Sequence, residues 1–407
     1  MNILVINAGS SSIKYQLLAI DSDERLCQGI MERIGTTDAH LHHQWRDPQG
    51  KQQTLRQTTA ITNHHQALER ISHLLQDNSS INDLQEIAAI GHRVVHGGER
   101  FRQPVLIDHQ VISAIRALEP LAPLHNPANL IGIEVCLQLF PGLPQAAVFD
   151  TAFHQSMPPQ AYRYALPESL YLRHHVRRYG FHGTSHQYVA QQAAAWLKRP
   201  LSELRLISLH LGNGASAAAI EGGCCIDTSM GLTPLEGLMM GTRCGDLDPA
   251  ILFYLLRTTG MSPVELEALL NRESGLKGIC SVSDMRDVLS LADDGDVQAR
   301  LALSMFCYRI RKYIGAYFAA LGGADAVIFT AGIGENAPRV RQLCCQNLAP
   351  LGISIDEEKN RAQPPGIFAI HQDDAAIRLL VIPTDEELAI ARQVRSLINN
   401  RFSDHLV

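Results

Sequence analysis

One short pattern occurs twice in this chain and restricts its fold more than any property of the whole. Near the N-terminus, Leu4-Val5-Ile6 runs into Asn7-Ala8-Gly9-Ser10-Ser11-Ser12 and then a second apolar strand from Ile13-Lys14. About two hundred residues later, Leu206-Ile207-Ser208-Leu209 runs into His210-Leu211-Gly212-Asn213-Gly214-Ala215-Ser216 and a second strand to Ile220. In both, glycine lets the backbone turn sharply, and small residues leave N–H groups open to one anion. A single such turn reads as readily as a plain hairpin. The pair implies a duplicated architecture facing one ligand. A third turn, Ala331-Gly332-Ile333-Gly334-Glu335-Asn336, follows the apolar run 326–330 and is expected to open a helix. Three glycine turns suit the phosphates of a nucleotide held between two domains. None has the spacing of a P-loop or of the dinucleotide fingerprint.

At 407 residues the chain is longer than one hydrophobic core usually serves, so two domains are expected. Hairpins are read at 1–20 and 206–220, with a polar, solvated hairpin at 38–62 that carries His40, His42 and His43. Helices are read at 64–75, 108–118 and 128–139, strands at 87–95 and 145–149, and a further helix ends near 198. The segment 250–320 reads as mostly helical, and strands at 326–330 and 379–382 lead to a last helix at 386–398. Thr384 and Glu387 have capping-box spacing at its start. Strands alternate with helices outside the hairpins, so the class is α/β with mixed sheets. A net charge of −6 gives no general attraction to nucleic acid or to an anionic membrane, and no apolar run reaches membrane-spanning length. No secretory signal opens the chain. Nine cysteines without any Cys-x-x-Cys read as reduced, buried thiols of a cytoplasmic protein.

Five polar residues stand at strand ends or loop corners: Arg93, Asp150, His182, Arg243 and Glu386. An arginine in the tail of a buried strand is costly without a partner. A carboxylate at the C-terminal end of a strand occupies a favoured place for chemistry in α/β proteins. Two arginines, a histidine and two carboxylates fit phosphoryl transfer, where Mg²⁺ takes oxygen ligands and the moving group takes cations. Any one of them taken singly could instead serve a structural ion pair or a cap.

The chain resembles the acetate and propionate kinase family along nearly its whole length. The resemblance is carried by Asn7-Ala8-Gly9-Ser10-Ser11-Ser12-Ile13-Lys14, Gly91-His92-Arg93-Val94-Val95-His96-Gly97-Gly98-Glu99 and Ala122-Pro123-Leu124-His125-Asn126-Pro127. It continues through Val148-Phe149-Asp150-Thr151-Ala152-Phe153-His154, Arg178-Tyr179-Gly180-Phe181-His182-Gly183-Thr184-Ser185-His186, Met240-Gly241-Thr242-Arg243 and Thr384-Asp385-Glu386-Glu387. It implies two duplicated actin-like ATPase domains, of the superfamily of sugar kinases, Hsp70 and actin, with an active-site cleft between them. An acyl kinase domain is expected over 1–150 plus 385–407, and a nucleotide-binding and dimerisation domain over 151–384. The implied reaction is reversible transfer from ATP to acetate, giving ADP and acetyl phosphate, with Mg²⁺ (or Mn²⁺) and a homodimer.

By the same resemblance, Arg93 and Arg243 clamp the acceptor carboxylate and the moving phosphoryl group, and His182 donates to its oxygens. Asp150 joins them as a catalytic residue and, with Glu386, organises the Mg²⁺ and its waters. Asn7, in contact with phosphate, and Glu386 belong to the metal site. Val95, Leu124, Phe181 and Pro234 form the acyl pocket. Lys14, His210, Asn213, Gly214, Asp284, Met285, Arg286, Gly332, Ile333 and Asn336 hold the nucleotide. Val95 stands where propionate-selective members tend to have alanine, which favours acetate. Two departures are visible: the segment from Ser281 to Arg286 is one residue short of the usual pattern and Met285 stands where an aromatic is often found, which leaves the base preference open, and Ala331 replaces a frequent glycine, a small change expected to be tolerated. A propionate kinase, a sugar kinase using Asp150 as base, and a non-catalytic nucleotide switch remain the alternatives.

Overall fold

The repeated strand–turn–strand pattern seeds two sheets of one design. In the computed structural model, residues 1–47, 49–78, 81 and 83–404 are described. The chain divides into a first unit, 1–152 with 385–407, and a second, 153–384. Residues 405–407 of the expected return segment lie outside the described residues.

The first unit opens with β1 (Asn2–Ala8), β2 (Ser12–Ala19), β3 (Glu24–Glu32), β4 (Thr36–Arg46) and β5 (Gln52–Ile61), then α1 (His64–Asn78). After these come β6 (Ile87–Val94), β7 (Val105–Leu106), α2 (His109–Ala117), α3 (Asn126–Leu139) and β8 (Gln145–Phe149). Strand order is β5-β4-β3-β2-β1-β6-β8-β7. β1 and β2 pair antiparallel with Ala8 opposite Ile13, while β1, β6 and β8 run parallel. Three parallel strands therefore end at one edge, where Asn7, Arg93 and Asp150 fall.

In the second unit the short helices α4 (Pro159–Tyr162) and α5 (Glu168–His174) precede α6 (Gly183–Leu197). The meander β9 (Arg205–Leu211), β10 (Ala215–Glu221) and β11 (Cys224–Thr228) follows. Five helices come next: α7 (Ala250–Thr259), α8 (Pro263–Arg272), α9 (Gly275–Cys280), α10 (Met285–Asp293) and α11 (Val297–Leu321). The unit closes with β12 (Ala326–Thr330), α12 (Ala331–Asn336), α13 (Pro338–Cys345), α14 (Glu357–Ala362), β13 (Phe368–Ala369) and β14 (Arg378–Val381). Its sheet runs β11-β10-β9-β12-β14-β13, with β9, β12 and β14 parallel. This repeats β3-β2-β1-β6-β8, so the duplication is in the topology and not only in the turns. The last helix, α15 (Glu386–Asp404), returns to pack on β1 and β6 of the first unit. A side chain at Gly91 of β6 would lie 2.8 Å from Ile390 and 2.9 Å from Val394, so only glycine admits that helix.

Four expectations are corrected. β11 went unread, although Gly222-Gly223, both at positive φ, make the two-residue turn that signals it. The turn 331–336 does not open a helix but is itself the helix α12. α15 is capped by Asp385, whose carboxylate accepts from the Leu388 N–H at 3.0 Å, while Glu387 turns away to Lys14 at 2.6 Å. In the polar hairpin, His43 is fully buried between Tyr15 and Trp45, its Nδ1 2.7 Å from the Tyr15 hydroxyl. Strand alternation sends it inward while His40 stays exposed.

Candidate active site

Each unit gathers its own set of the expected residues. In the first, Arg93 lies near the end of β6 and Asp150 directly after β8, on neighbouring parallel strands. The guanidinium meets the carboxylate with two bonds, Nη2 to Oδ2 at 2.5 Å and Nε to Oδ1 at 3.2 Å. Its Nη1 reaches Asn7 Oδ1 at 3.4 Å, and Glu386 at the head of α15 lies 3.8 Å from Nε. Asp150 is 1% exposed, so this pair is held out of water. Burial pulls the Arg93 pKa down, but Asp150 and Glu386 outweigh it, and the group is held above its ordinary value. Burial pushes the Glu386 carboxyl up; Arg93 opposes that and Glu387 adds to it. Lys14, expected at the nucleotide, belongs to this unit and is paired with Glu387.

Two asparagines that sequence reasoning did not assign fix this edge. Asn126 and Asn129, buried on α3, hold the backbone that directly follows β6, and Asn129 ties it to the end of β1. Asn129 accepts from the Val95 N–H at 3.0 Å and donates to the Ala8 carbonyl at 2.7 Å. Asn126 accepts from the His96 N–H and donates to the His96 carbonyl, both at 3.1 Å. Their spacing of three, one helical face, was the signal available. Of the expected acyl-pocket residues, Val95 is buried and Leu124 exposed in this unit, whereas Phe181 and Pro234 belong to the other.

In the second unit, His182 is the N-cap of α6 with φ 58, a left-handed conformation that costs a non-glycine residue on the order of 1 kcal/mol. Its ring stacks on His210 at 4.2 Å, and its Nδ1 lies 2.9 Å from Ser216 Oγ. A Cβ on Gly214 would lie 3.6 Å from His182 Nε2 and 3.5 Å from Arg243 Nη1, so both groups flank the glycine turn. Among the described residues the Arg243 guanidinium bonds only the Pro234 carbonyl at 3.3 Å and the Met240 sulfur at 3.8 Å. Among the described residues no carboxylate pairs with it, and burial lowers its pKa. An uncompensated, partly buried guanidinium favours an anion. The loop that carries Pro234 is pinned by Arg178, which donates to the Thr228, Ser229 and Met230 carbonyls and pairs with Glu236 at 2.6 Å.

A cavity of about 540 Å³ opens beside this set. Asn213, Asp284, Met285, Arg286, Gly332, Ile333 and Asn336 all line it, so loops distant in sequence meet around one cavity. His210 and Gly214 flank the turn without lining it. Asp284 caps α10 and is paired with Arg286, which holds its carboxyl down at about 2. Ala331 sits at φ 62, so the exchange of a frequent glycine for alanine carries a strain cost of about 1–2 kcal/mol. Among the described residues no three histidine, cysteine or carboxylate groups cluster as a metal site, and no helix is long and apolar enough to cross a membrane.

The model of the Acetokinase family matches residues 2–392. The acetate kinase of Syntrophobacter fumaroxidans is 54% identical over 97% of this chain and 96% of its own length. That of Thermotoga petrophila is 51% identical over 98% and 99%. Among solved structures, Porphyromonas gingivalis acetate kinase superposes with a TM-score of 0.91 at 42% identity, covering 98% of this chain and 99% of that one. A propionate kinase from Francisella tularensis gives 0.90 at 43%, covering 96% and 98%.

Proposed function

This chain belongs to the acetokinase family, phosphotransferases with a carboxyl acceptor, and on that premise we propose that it moves the γ-phosphoryl group of ATP directly to acetate. An acetate oxygen attacks the γ-phosphorus as the bond to the ADP oxygen breaks, giving acetyl phosphate and ADP; the reverse reaction retraces the same path. The acceptor is already an anionic nucleophile, so no general base is required and positioning with charge stabilisation suffices. The sugar-kinase and switch readings do not survive family membership.

The observation that carries the reading is the contrast between the two arginines. Arg93 is oriented by Asp150, Glu386 and Asn7 to meet the acceptor, whereas Arg243, without a carboxylate, is left to the transferring phosphoryl beside His182 Nε2. Asn213, Gly214 and the residues of the 540 Å³ cavity take the nucleotide, with His210 behind them. Lys14, paired with Glu387, would reach phosphate only by leaving that carboxylate.

Asp150, Glu386 and Asn7 are hard oxygen donors, the set that Mg²⁺ or Mn²⁺ takes, and the burial that pushes up the Glu386 carboxyl is relieved by a cation. Two carboxylates are few for an all-protein cage, which suits an ion shared with substrate phosphates. When bound, the metal neutralises phosphate charge.

Val95, buried in the first unit, sets the limit on acyl chain length in this reading. A propionate kinase is the second reading, favoured by the Francisella tularensis likeness. Trapping acyl phosphate with hydroxylamine, with ATP and Mg²⁺, tests both. Acetate hydroxamate is expected, and Val95→Ala is expected to raise kcat/KM for propionate over acetate by about 10-fold, the scale on which one methylene discriminates. No hydroxamate from acetate, propionate or butyrate refutes the acyl kinase; an unchanged ratio removes Val95 from the pocket.

The active form is a homodimer. α11 exposes Val297, Leu301, Met305 and Tyr308 along one face, and α7 exposes Ile251, Phe253 and Tyr254. Apolar stripes of this extent call for a cover.

A further inference from the structure

Behind His182 runs a chain of buried hydrogen bonds. Ser216 Oγ lies 2.9 Å from His182 Nδ1 and 2.8 Å from His186 Nε2, and His186 Nδ1 lies 2.9 Å from Ser208 Oγ. Ser208, His186 and Ser216 are each fully buried. We propose that this chain is polarised from Ser208 toward His182, and that Ser216 and His186 are positioning residues which keep the His182 proton on Nε2.

The polarity follows from counting protons. A serine hydroxyl has one, and a neutral imidazole carries one on either nitrogen. His186 is kept neutral by burial and by the neighbouring His154 and His210, which lower its pKa well below the ordinary value. With all three bonds made, three arrangements can be drawn. The one in which His186 Nε2–H and His182 Nδ1–H both donate to Ser216 leaves the buried Ser216 hydroxyl proton without an acceptor among the described residues, so two remain. In one, Ser208 donates to His186 Nδ1, His186 Nε2–H donates to Ser216, and Ser216 donates to His182 Nδ1. In the other every bond is reversed. Reversal would leave the Ser208 hydroxyl proton with nothing to donate to: among the described residues its side chain bonds His186 alone. A buried donor without an acceptor is the more costly outcome, so the first arrangement holds.

His182 Nδ1 is then an acceptor, and the neutral ring carries its proton on Nε2. That is the edge which faces Gly214 beside Arg243 Nη1. The opposite tautomer would aim a lone pair at an anionic phosphoryl group. The left-handed backbone of His182 is compatible with this role, because the strain holds the ring over His210 with Nδ1 toward Ser216. The inference rests on the proposed role of His182, and the test separates the two.

Nitrogen-15 spectra of histidine-labelled protein, with the His182 signals assigned by their loss in His182→Gln, report the tautomer directly. A protonated Nε2 and a bare Nδ1 are expected in the unaltered protein, and the reverse overturns the proposal. In Ser216→Ala, the tautomer preference should be lost and kcat should fall about 10- to 100-fold, the scale of a lost orienting partner, with KM for ATP and acetate changed by less than about 3-fold. Ser216→Thr restores the hydroxyl and should restore kcat. Full kcat in Ser216→Ala, or no rescue by threonine, overturns it. If His182→Ala keeps full kcat, the role of His182 fails, and the proposal with it; if His182→Ala is inactive while Ser216→Ala is not, only the hydrogen-bond chain fails.

Discussion

Arg93 and Arg243 carry the same charge into opposite environments. Arg93 is held by two carboxylates and an amide oxygen, whereas Arg243 rests on a carbonyl and a thioether. A cation that is partly buried without a counter-ion costs stability and is retained where an anion arrives to meet it. The two arginines therefore respond differently to removal. Arg243→Met should lower acyl phosphate formation by about 10³-fold or more, by analogy with an arginine that stabilises phosphoryl transfer, while the urea midpoint stays equal or rises. A rate loss below tenfold, or a clear fall in the midpoint, would place Arg243 among structural residues. Both arginines were legible in sequence because strand ends and glycine-rich loops are poor places for idle charge. Their difference in pairing was not, since Asp150 and Glu386 come to Arg93 from 57 and 293 residues away.

At the level of elements, most strands and helices announced themselves through periodicity, and the failures have local causes. β11, Cys-Cys-Ile-Asp-Thr, lacks the apolar run that marks the equally short β8 and β12, and α12 is built from a segment containing two glycines. Asp385, one residue later than Thr384, caps α15, and Glu387 pairs with Lys14 in place of a capping box. α11 makes the clearest element-scale prediction. Its residues 297, 301, 305 and 308 recur at helical spacing yet stay exposed, at 73%, 48%, 41% and 59%. Sedimentation should give twice the chain mass, and Met305→Glu with Tyr308→Glu should give the single-chain mass with helicity intact. A wild-type protein that sediments as a monomer at micromolar concentration would leave the stripe without its proposed cover.

For the whole molecule the histidines set a pH dependence. His43, His92, His96 and His154 are buried, and burial lowers each from the ordinary 6.5 to about 4. Between those values the unfolded chain binds protons that the folded one refuses, so stability is full above about 6.5 and is lost as pH falls toward 4. Each histidine adds about 1.4 kcal/mol per pH unit to that slope. The carboxyls of Asp227, Glu335 and Glu386, raised chiefly by burial, act in the opposite sense but are fewer. Urea melts should therefore show the midpoint falling from pH 7 to 5.5; a flat midpoint would mean that these rings take up protons in the fold.

The sequence by itself determined the class, the duplicated strand–turn–strand units and the family, and it singled out the residues proposed to carry the chemistry, because periodicity, glycine turns and charge at strand ends are local properties. Only the tertiary structure decided which groups share a proton or a charge. It gave Arg93 its carboxylates, left Arg243 without one, buried His43, and set Ser216 between His182 and His186. The physical reason is that ion pairing, desolvation and tautomer choice depend on distances through space and on the exclusion of water. Those quantities exist only once strands far apart in the chain lie side by side.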